Sequence, residues 1–193
     1  AGLYIALGAG ATLTNVTLTD NNAGSFSGGA IWNSGRLTLE SSTLSGNEAR
    51  SGGAIFNVGN LTLENTTLSG NSADSFGGGI ENSPGGSVTL TDSTLSNNSA
   101  KFLGGGLGNF GTATLTGALV SNNSGSTFGG GIYNGYQLTL TNSTLSGNNA
   151  SGTGGGLNNA FVATVTNSTI SGNSAGGAAG SAGGIDTTEG TMR

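Results

Sequence analysis

Short runs of alternating apolar and polar residues recur along almost the whole chain. The segment 37–47 reads LTLESSTLSGN, and the segment 61–71 reads LTLENTTLSGN. The apolar residue in the second half of this phrase has counterparts spaced 24 to 27 residues apart, at Leu18, Leu44, Leu68, Leu95, Val120, Leu145 and Ile170. A period of about 25 residues that is carried through seven units is typical of a solenoid.

Each unit contains three short apolar pieces separated by Gly, Asn and Ser. One piece follows a Gly-Gly pair, as at Ile31, the second alternates apolar residues with Thr, as in Leu37–Leu39, and the third surrounds Leu44. Alternation with a period of two predicts strands, and none of the pieces has the period of an amphipathic helix. We therefore expect an all-β fold, a single-stranded parallel β-helix of about seven coils with three strands per coil, as one domain over residues 1–193 with uncapped ends.

In such a fold, residues one period apart stack in columns. One column predicted for the core is Leu13, Leu39, Leu63, Leu90, Leu115, Leu140 and Val165. Asn forms two further columns, the first at 33, 57, 82, 109, 134 and 159, and the second at 21, 47, 71, 98, 123, 148 and 173. Asn tolerates left-handed turns and its stacked amides can form hydrogen-bonded ladders. The residue before each member of the second column is Gly, Asn or Asp, which suits a positive φ.

The composition excludes several classes of function. The chain has 193 residues, of which 40 are Gly, with no Cys and no His, and its 4 basic and 9 acidic residues give a net charge of −5. So few basic residues argue against nucleic-acid binding. No apolar run reaches the roughly 20 residues of a transmembrane segment. Without Cys or His, disulfides, zinc–thiolate sites and the commonest general base are excluded, and we expect no cofactor.

Two motifs occur together in the repeats. The first is Gly-Gly-Ala-Ile at 28–31 and 52–55, and the second is apolar-x-x-Asn, as in Leu44–Asn47. This pairing resembles the repeats of chlamydial polymorphic outer-membrane proteins and of many bacterial surface β-helix proteins, although the second motif begins with Phe in the chlamydial family and with Leu, Val or Ile here. The resemblance implies a right-handed β-helix, secretion, and an adhesive or structural role at the cell surface. The resemblance assigns no catalytic residues to this chain.

A regular array of Thr is expected on the outward face of the second strand. Its members are Thr12, Thr14, Thr38, Thr62, Thr89, Thr91, Thr114, Thr116, Thr139, Thr141, Thr164 and Thr166. The expected spacing is about 6.7 Å along a strand and 4.8 Å between strands. Such a lattice is similar to the Thr arrays of β-solenoid ice-binding proteins. Thr also stacks well on any exposed strand, so a purely structural ladder is the other interpretation.

Four sequons share one position of the repeat, at Asn15, Asn65, Asn142 and Asn167. In a secreted protein they are candidates for N-glycosylation. A chain so rich in Asn, Ser and Thr also produces sequons by chance.

Aromatic and acidic residues suggest a third function, the binding or cleavage of polysaccharide. Phe26, Phe76, Phe102 and Phe128 precede the Gly-Gly motif, and Trp32, Phe56 and Tyr133 follow it. Aromatic columns can bind sugar rings, but they also pack on one another. Glu40 and Glu64 occupy the same position in adjacent coils, at a spacing near that of a retaining glycosidase pair. On a plain exposed strand they are better interpreted as a surface pair.

These observations favour a non-enzymatic extracellular or cell-surface rod with a structural or adhesive role. Ice binding and polysaccharide binding or cleavage remain as alternatives. Because uncapped coils expose strand edges, we expect the partner to be a second copy added head to tail, or the continuation of a longer chain.

Overall fold

In the computed structural model, which describes residues 1–125, 127–177, 181–187 and 190–193, the chain is a parallel β-solenoid of about seven coils. Every strand pairs only with the equivalent strands one coil before and after it. A single coil has no partner for its own backbone N–H and C=O groups, so it is the stacking of coils that completes each sheet.

Four parallel sheets run along the solenoid. Sheet 1 consists of Leu3–Ile5, Ile31–Asn33, Ile55–Asn57, Ile80–Asn82, Leu107–Asn109, Ile132–Asn134, Leu157–Asn159 and Ile185–Asp186. Sheet 2 consists of Gly10–Thr14, Arg36–Glu40, Asn60–Glu64, Ser87–Thr91, Thr112–Thr116, Gln137–Thr141, Val162–Thr166 and Thr191–Met192. Sheet 3 consists of Thr17–Thr19, Thr43–Ser45, Thr67–Ser69, Thr94–Ser96, Leu119–Ser121, Thr144–Ser146 and Thr169–Ser171. Sheet 4 consists of Glu48–Ala49, Ser72–Ala73, Ser99–Ala100, Ser124–Gly125, Asn149–Ala150 and Ser174–Ala175.

Sheets 1, 2 and 3 are the three strands predicted for each coil, but sheet 4 is additional. Its strands are two residues long, and they follow the second Asn column directly. Two residues are too few to show a period, so the sequence pattern gives no signal for them. The prediction of three strands per coil is therefore corrected to four.

The predicted core column is confirmed. Leu39, Leu63 and Leu90 are direct partners across sheet 2, and all three side chains are fully buried. Leu44 and Leu68 form the corresponding column in sheet 3. The core is the narrow interior of the stacked coils. Each buried Leu therefore packs against residues of the neighbouring coils, about one period away in the sequence.

The Gly-Gly motif forms the turn into sheet 1, and the strand itself begins at the following Ile or Leu. Gly28 has φ of 71°, a conformation that side chains rarely adopt. At Gly29, an added Cβ would lie 2.1 Å from the carbonyl oxygen of Gly53 in the next coil. The two glycines therefore have different roles, one conformational and one that allows neighbouring turns to approach closely.

The two Asn columns are buried ladders, as predicted. In the second column the Asn47 side-chain oxygen accepts hydrogen bonds from both the backbone N–H and the Nδ2 of Asn21, at 3.0 and 2.9 Å. The second hydrogen of Asn47 Nδ2 is used by the carbonyl of Leu18, at 3.0 Å. In the first column, Asn33 Nδ2 donates to Asn57 Oδ1 at 2.7 Å. The residues preceding the second column, from Asp20 to Gly172, all have positive φ, as expected.

A third ladder, made of hydroxyl groups, was not predicted. Ser42 Oγ accepts from the backbone N–H of Val16, Thr66 Oγ1 accepts from Ser42, and Ser93 Oγ accepts from Thr66, at 3.1 to 3.3 Å. The next coil has Ala118 at this position, and the ladder resumes at Ser143. Ser and Thr vary here and an Ala interrupts them, so the sequence shows no clear column.

Within the described ranges, the structure contains no helix that could cross a membrane. The same residues include no group of three or more acidic, His or Cys side chains placed to hold a metal ion.

Candidate binding surfaces

The outward side of sheet 2, which we call the threonine face, has the predicted lattice. Seven Thr residues pair in direct register from coil to coil, at 12, 38, 62, 89, 114, 139 and 164. The neighbouring column, two residues on, consists of Thr14, Glu40, Glu64, Thr91, Thr116, Thr141 and Thr166. The array of side chains is confirmed, and ice binding by it stays a prediction.

The two glutamates on the threonine face are direct partners across sheet 2, as predicted. Glu40 accepts a hydrogen bond from Thr14 Oγ1 at 3.0 Å, and Glu64 is exposed. Both residues lie on the outward side of a regular strand, where Glu40 is half-buried. We interpret them as members of the outward column of the threonine face rather than as a catalytic pair.

The four sequon residues lie at the corner between sheets 2 and 3. Asn15, Asn65, Asn142 and Asn167 are exposed and have φ between 47° and 56°. In the other coils this corner is occupied by Ser41, Asp92 and Gly117, also with positive φ. Because Asn is favoured in this conformation, the turn itself accounts for the residue type. N-glycosylation at these exposed amides stays a prediction.

The outward side of sheet 1, which we call the aromatic face, differs from coil to coil. Its central column is Tyr4, Trp32, Phe56, Glu81, Gly108, Tyr133, Asn158 and Asp186. The predicted alignment of Trp32, Phe56 and Tyr133 is confirmed. Trp32 and Phe56 contact each other with ring centroids 4.6 Å apart.

The predicted column of four Phe residues is wrong in register. Phe76 and Phe128 each pair with Leu103, so Phe102 lies one position earlier in its turn. Phe26 is also one position too early, because it stands two residues before its glycine pair and Phe76 stands directly before one. The turn from Asn71 to Gly77 is as long as the turn from Asn98 to Gly104, so Phe102 is offset because Phe occupies an earlier position of that turn.

An aromatic cluster on this face includes a residue that was missed. Phe110 follows sheet 1 and contacts Phe76 at 5.5 Å and Tyr133 at 5.6 Å between ring centroids. Gly108 has no side chain between these rings, and an added Cβ would lie 3.1 Å from the backbone nitrogen of Gly77. The missing side chain allows the turn at Gly77 to lie close to the sheet at this coil.

Glu81 is the second residue that was missed, and it is buried in this face. Its side chain is 8% exposed, and Oε1 accepts a hydrogen bond from Ser83 Oγ at 3.0 Å, but Oε2 has no hydrogen-bond partner. Burial raises the pKa of Glu81, and the Ser51 and Ser83 hydroxyls and the charge of Arg50 oppose this only in part. The sequence did contain one sign of this site: Glu81 is an acid in a column that is aromatic in the two preceding coils, at Trp32 and Phe56.

A pocket of about 320 Å³ opens on the aromatic face. Its lining includes Phe128, Tyr133, Thr153, Asn158, Ala160 and Asp186. Asn158 Nδ2 donates to Thr153 Oγ1 at 2.9 Å, which fixes both polar groups. The pocket combines aromatic rings with an amide, a hydroxyl and a carboxylate.

Comparison with protein families gives a match to the right-handed β-helix region, over residues 1–124 and, in a second and overlapping match, residues 31–191. Neither the comparison with curated proteins nor that with solved structures gives a significant match. Right-handed β-helix proteins include both enzymes and non-enzymes. The matched ranges cover nearly all of the chain, and the stacked parallel sheets agree with them, so the chain belongs to the right-handed β-helix family.

Proposed function

We propose that the chain is a non-enzymatic structural rod at the cell surface or in the extracellular space, with adhesive contacts made by its exposed faces. The observation that carries the proposal is the unbroken register of the second Asn column through seven consecutive coils, from Asn21 to Asn173. Each interior amide joins two coils, so the most regular polar groups of the molecule are used for rigidity. The likeness of the repeats to those of chlamydial and other bacterial surface proteins supports the proposed location.

The proposed partner is a further coil, supplied either by a second copy of the chain or by continuation of the polypeptide. At the two ends of sheet 1, Leu3–Ile5 and Ile185–Asp186 each pair with a strand on one side only among the residues that the structure describes. Unpaired strand edges are templates for further pairing. A head-to-tail contact of this kind is not closed by symmetry and would extend into a filament.

Electron microscopy of the purified chain over a range of concentrations tests this assembly. We expect unbranched filaments one solenoid wide, which lengthen as the concentration rises. Monodisperse single particles at the highest soluble concentration would contradict self-assembly. Small-angle scattering on the same samples would then report whether the single chain is itself a rod, which tests the structural part of the proposal separately.

A non-enzymatic role is supported by the position of the paired acids Glu40 and Glu64, which stand on a flat strand without a cleft. Reducing-sugar release from polysaccharides measures the alternative directly. We expect no release by the wild-type chain. Release that is lost in the Glu40→Gln variant would contradict the proposal and favour a glycoside hydrolase.

Ice binding is the second candidate, and the register of the threonine face favours it. Direct pairing places the hydroxyl and methyl groups in rows separated by the strand spacing of about 4.8 Å. Thermal hysteresis is the test, with Thr114→Tyr and Thr139→Tyr as disrupting variants. Thr94→Tyr on sheet 3 is the matched control, because it adds the same bulk to a different face. Activity that is lost only in the sheet 2 variants would support ice binding, and no hysteresis in the wild type would dismiss it.

A further inference from the structure

The central outward column of the aromatic face changes its chemistry in nearly every coil. Sheet 2 repeats Thr seven times on its outward side, whereas the outward column of sheet 1 includes Trp, Phe, Glu, Gly, Tyr, Asn and Asp. Regular stacking needs no such variety, because like residues ladder well. A column of unlike residues places different functional groups side by side, which a site for a single ligand requires.

The pocket on this face has the size and lining of a small-molecule site. Its volume of about 320 Å³ lies at the lower end of the range for ligand pockets, roughly 300 to 1,000 Å³. Phe128 is 38% exposed, so a ligand has access to its ring. The Tyr133 ring is fixed from behind, since it contacts Phe110 at 5.6 Å and a Cβ at Gly135 would lie 3.2 Å from its Cε1. The rings are therefore held in place before a ligand arrives.

The polar groups in the pocket are arranged for hydroxyl partners. The hydrogen bond from Asn158 to Thr153 leaves the Asn158 side-chain oxygen as an acceptor and the Thr153 hydroxyl as a donor. Asp186 adds a carboxylate to the lining. No Lys or Arg is among the residues lining the pocket that the structure describes, and the chain has a net charge of −5, so an anionic ligand is disfavoured.

We propose that this pocket binds a neutral saccharide, with one sugar ring packed against Tyr133 and Phe128 and its hydroxyls bonded to Asn158 and Thr153. A sugar ring has an apolar face and a polar rim, and the pocket offers aromatic faces beside fixed donors and acceptors. This inference rests on the proposed function, because it names the surface and the ligand class of the adhesive contact. It involves no bond cleavage.

An array of neutral oligosaccharides, from disaccharides to hexasaccharides of glucose, mannose and galactose, with oligogalacturonates as acidic probes, tests the inference. We expect the wild-type chain to bind at least one neutral series and no acidic series. Titration with the best-bound oligosaccharide should show a loss of affinity of at least tenfold for Tyr133→Ala. Tyr136→Ala is the matched control: it removes the same ring from the same coil, where it stacks on Phe161 outside the pocket, and it should bind as the wild type does.

The Asn158→Ala variant keeps the test decisive if Tyr133→Ala does not fold, and it should also lose at least tenfold in affinity. Binding to no neutral probe, binding to acidic probes alone, or an equal loss in Tyr136→Ala would each overturn the inference. Small-angle scattering on the same samples separates this result from the proposed function. A rod that binds no saccharide overturns the pocket alone.

Discussion

The threonine face and the aromatic face are built on the same coil, yet they use the repeat in opposite ways. On the threonine face, one residue type returns at each step, and the side chains ladder with their own equivalents. On the aromatic face, Phe56 is followed by Glu81 and then by Gly108, so each side chain meets a different neighbour. The backbone register is equally regular in both.

The difference shows that the repeat and the surface chemistry are separable in this fold. The interior ladders hold neighbouring coils in register, and they require Asn, Leu or a hydroxyl-bearing residue at given positions. An outward position has no such requirement, so its residue type can vary without loss of register. An outward column can therefore repeat one residue type or bring unlike side chains together, and the backbone register is the same in both cases.

The largest expected effect comes from breaking a repeated interior column. Asn98→Ala removes the oxygen that accepts from the Asn71 backbone N–H and side-chain amide, at 3.0 and 2.9 Å, and the donor to the Leu68 carbonyl. Several buried polar groups lose their partners, and we expect a loss of about 3–5 kcal/mol in the free energy of unfolding. Chemical denaturation measures it. The adjacent Asn97→Gly variant, which keeps a left-handed corner, should lose less than about 1 kcal/mol.

The next effect concerns the column that varies. Glu81→Gln keeps an acceptor for the Ser83 hydroxyl but removes a buried charge whose Oε2 has no partner. We expect the variant to be more stable than the wild type at pH 7 by roughly 1–2 kcal/mol. Glu64→Gln, an exposed acid on the threonine face, should change the stability little.

The same variant predicts a pH dependence. The pKa of Glu81 is raised in the folded state, so the folded chain holds this proton more readily than the unfolded chain does. The free energy of unfolding should therefore fall as the pH rises above the ordinary value of 4.5, and Glu81→Gln should flatten that slope. Denaturation midpoints measured from pH 4 to pH 8 test this. An unchanged slope in the variant would mean that another group is responsible.

A smaller effect is expected from completing the hydroxyl ladder. Ala118 stands where the other coils supply an acceptor, so Ala118→Ser should provide one for the backbone N–H of Ser93. We expect stabilisation by about 0.5–1 kcal/mol, measured by thermal and chemical denaturation. Ala113→Ser is the control with the opposite sign, because Ala113 is buried among apolar side chains and its new hydroxyl would have no ladder.

The smallest effect tests the sequon corner. Asn142 has φ of 51°, a conformation that Gly adopts without strain and that Gly117 adopts in the preceding coil. Asn142→Gly should change the stability by less than about 0.5 kcal/mol, whereas the β-branched Asn142→Val should lose at least about 1 kcal/mol. Equal effects of the two would show that the side chain of Asn142, and not its backbone, matters at this position.

Much of this fold was predictable because each coil corresponds to one repeat of about 25 residues in the sequence. The Leu39 column and both Asn ladders follow from spacing, since a residue type that returns about every 25 positions has one place in the coil. Sheet 4 was missed because a two-residue strand leaves no alternation. The Phe column was wrong because Phe76 stands directly before its glycine pair and Phe102 stands two residues before its own, so the two residues occupy different positions of equally long turns.

The candidate pocket was predictable only in part. Tyr133 was assigned to an aromatic column, but Phe110 and Asn158 occur at positions where no residue type repeats. Phe110 contacts Tyr133 and Asn158 lines the pocket, and both contacts depend on side chains that occur in one coil only. Periodicity identifies what is alike between coils, so it cannot identify a site built from differences.

Disulfide cross-linking tests the register most directly, because the chain contains no native Cys. The Thr62→Cys/Thr89→Cys pair should oxidise readily, since these residues are direct partners on neighbouring strands about 4.8 Å apart. The pair Thr62→Cys/Thr114→Cys, two coils apart at about 9.6 Å, should not. Efficient cross-linking of the second pair, or none of the first, would contradict a coil of this period.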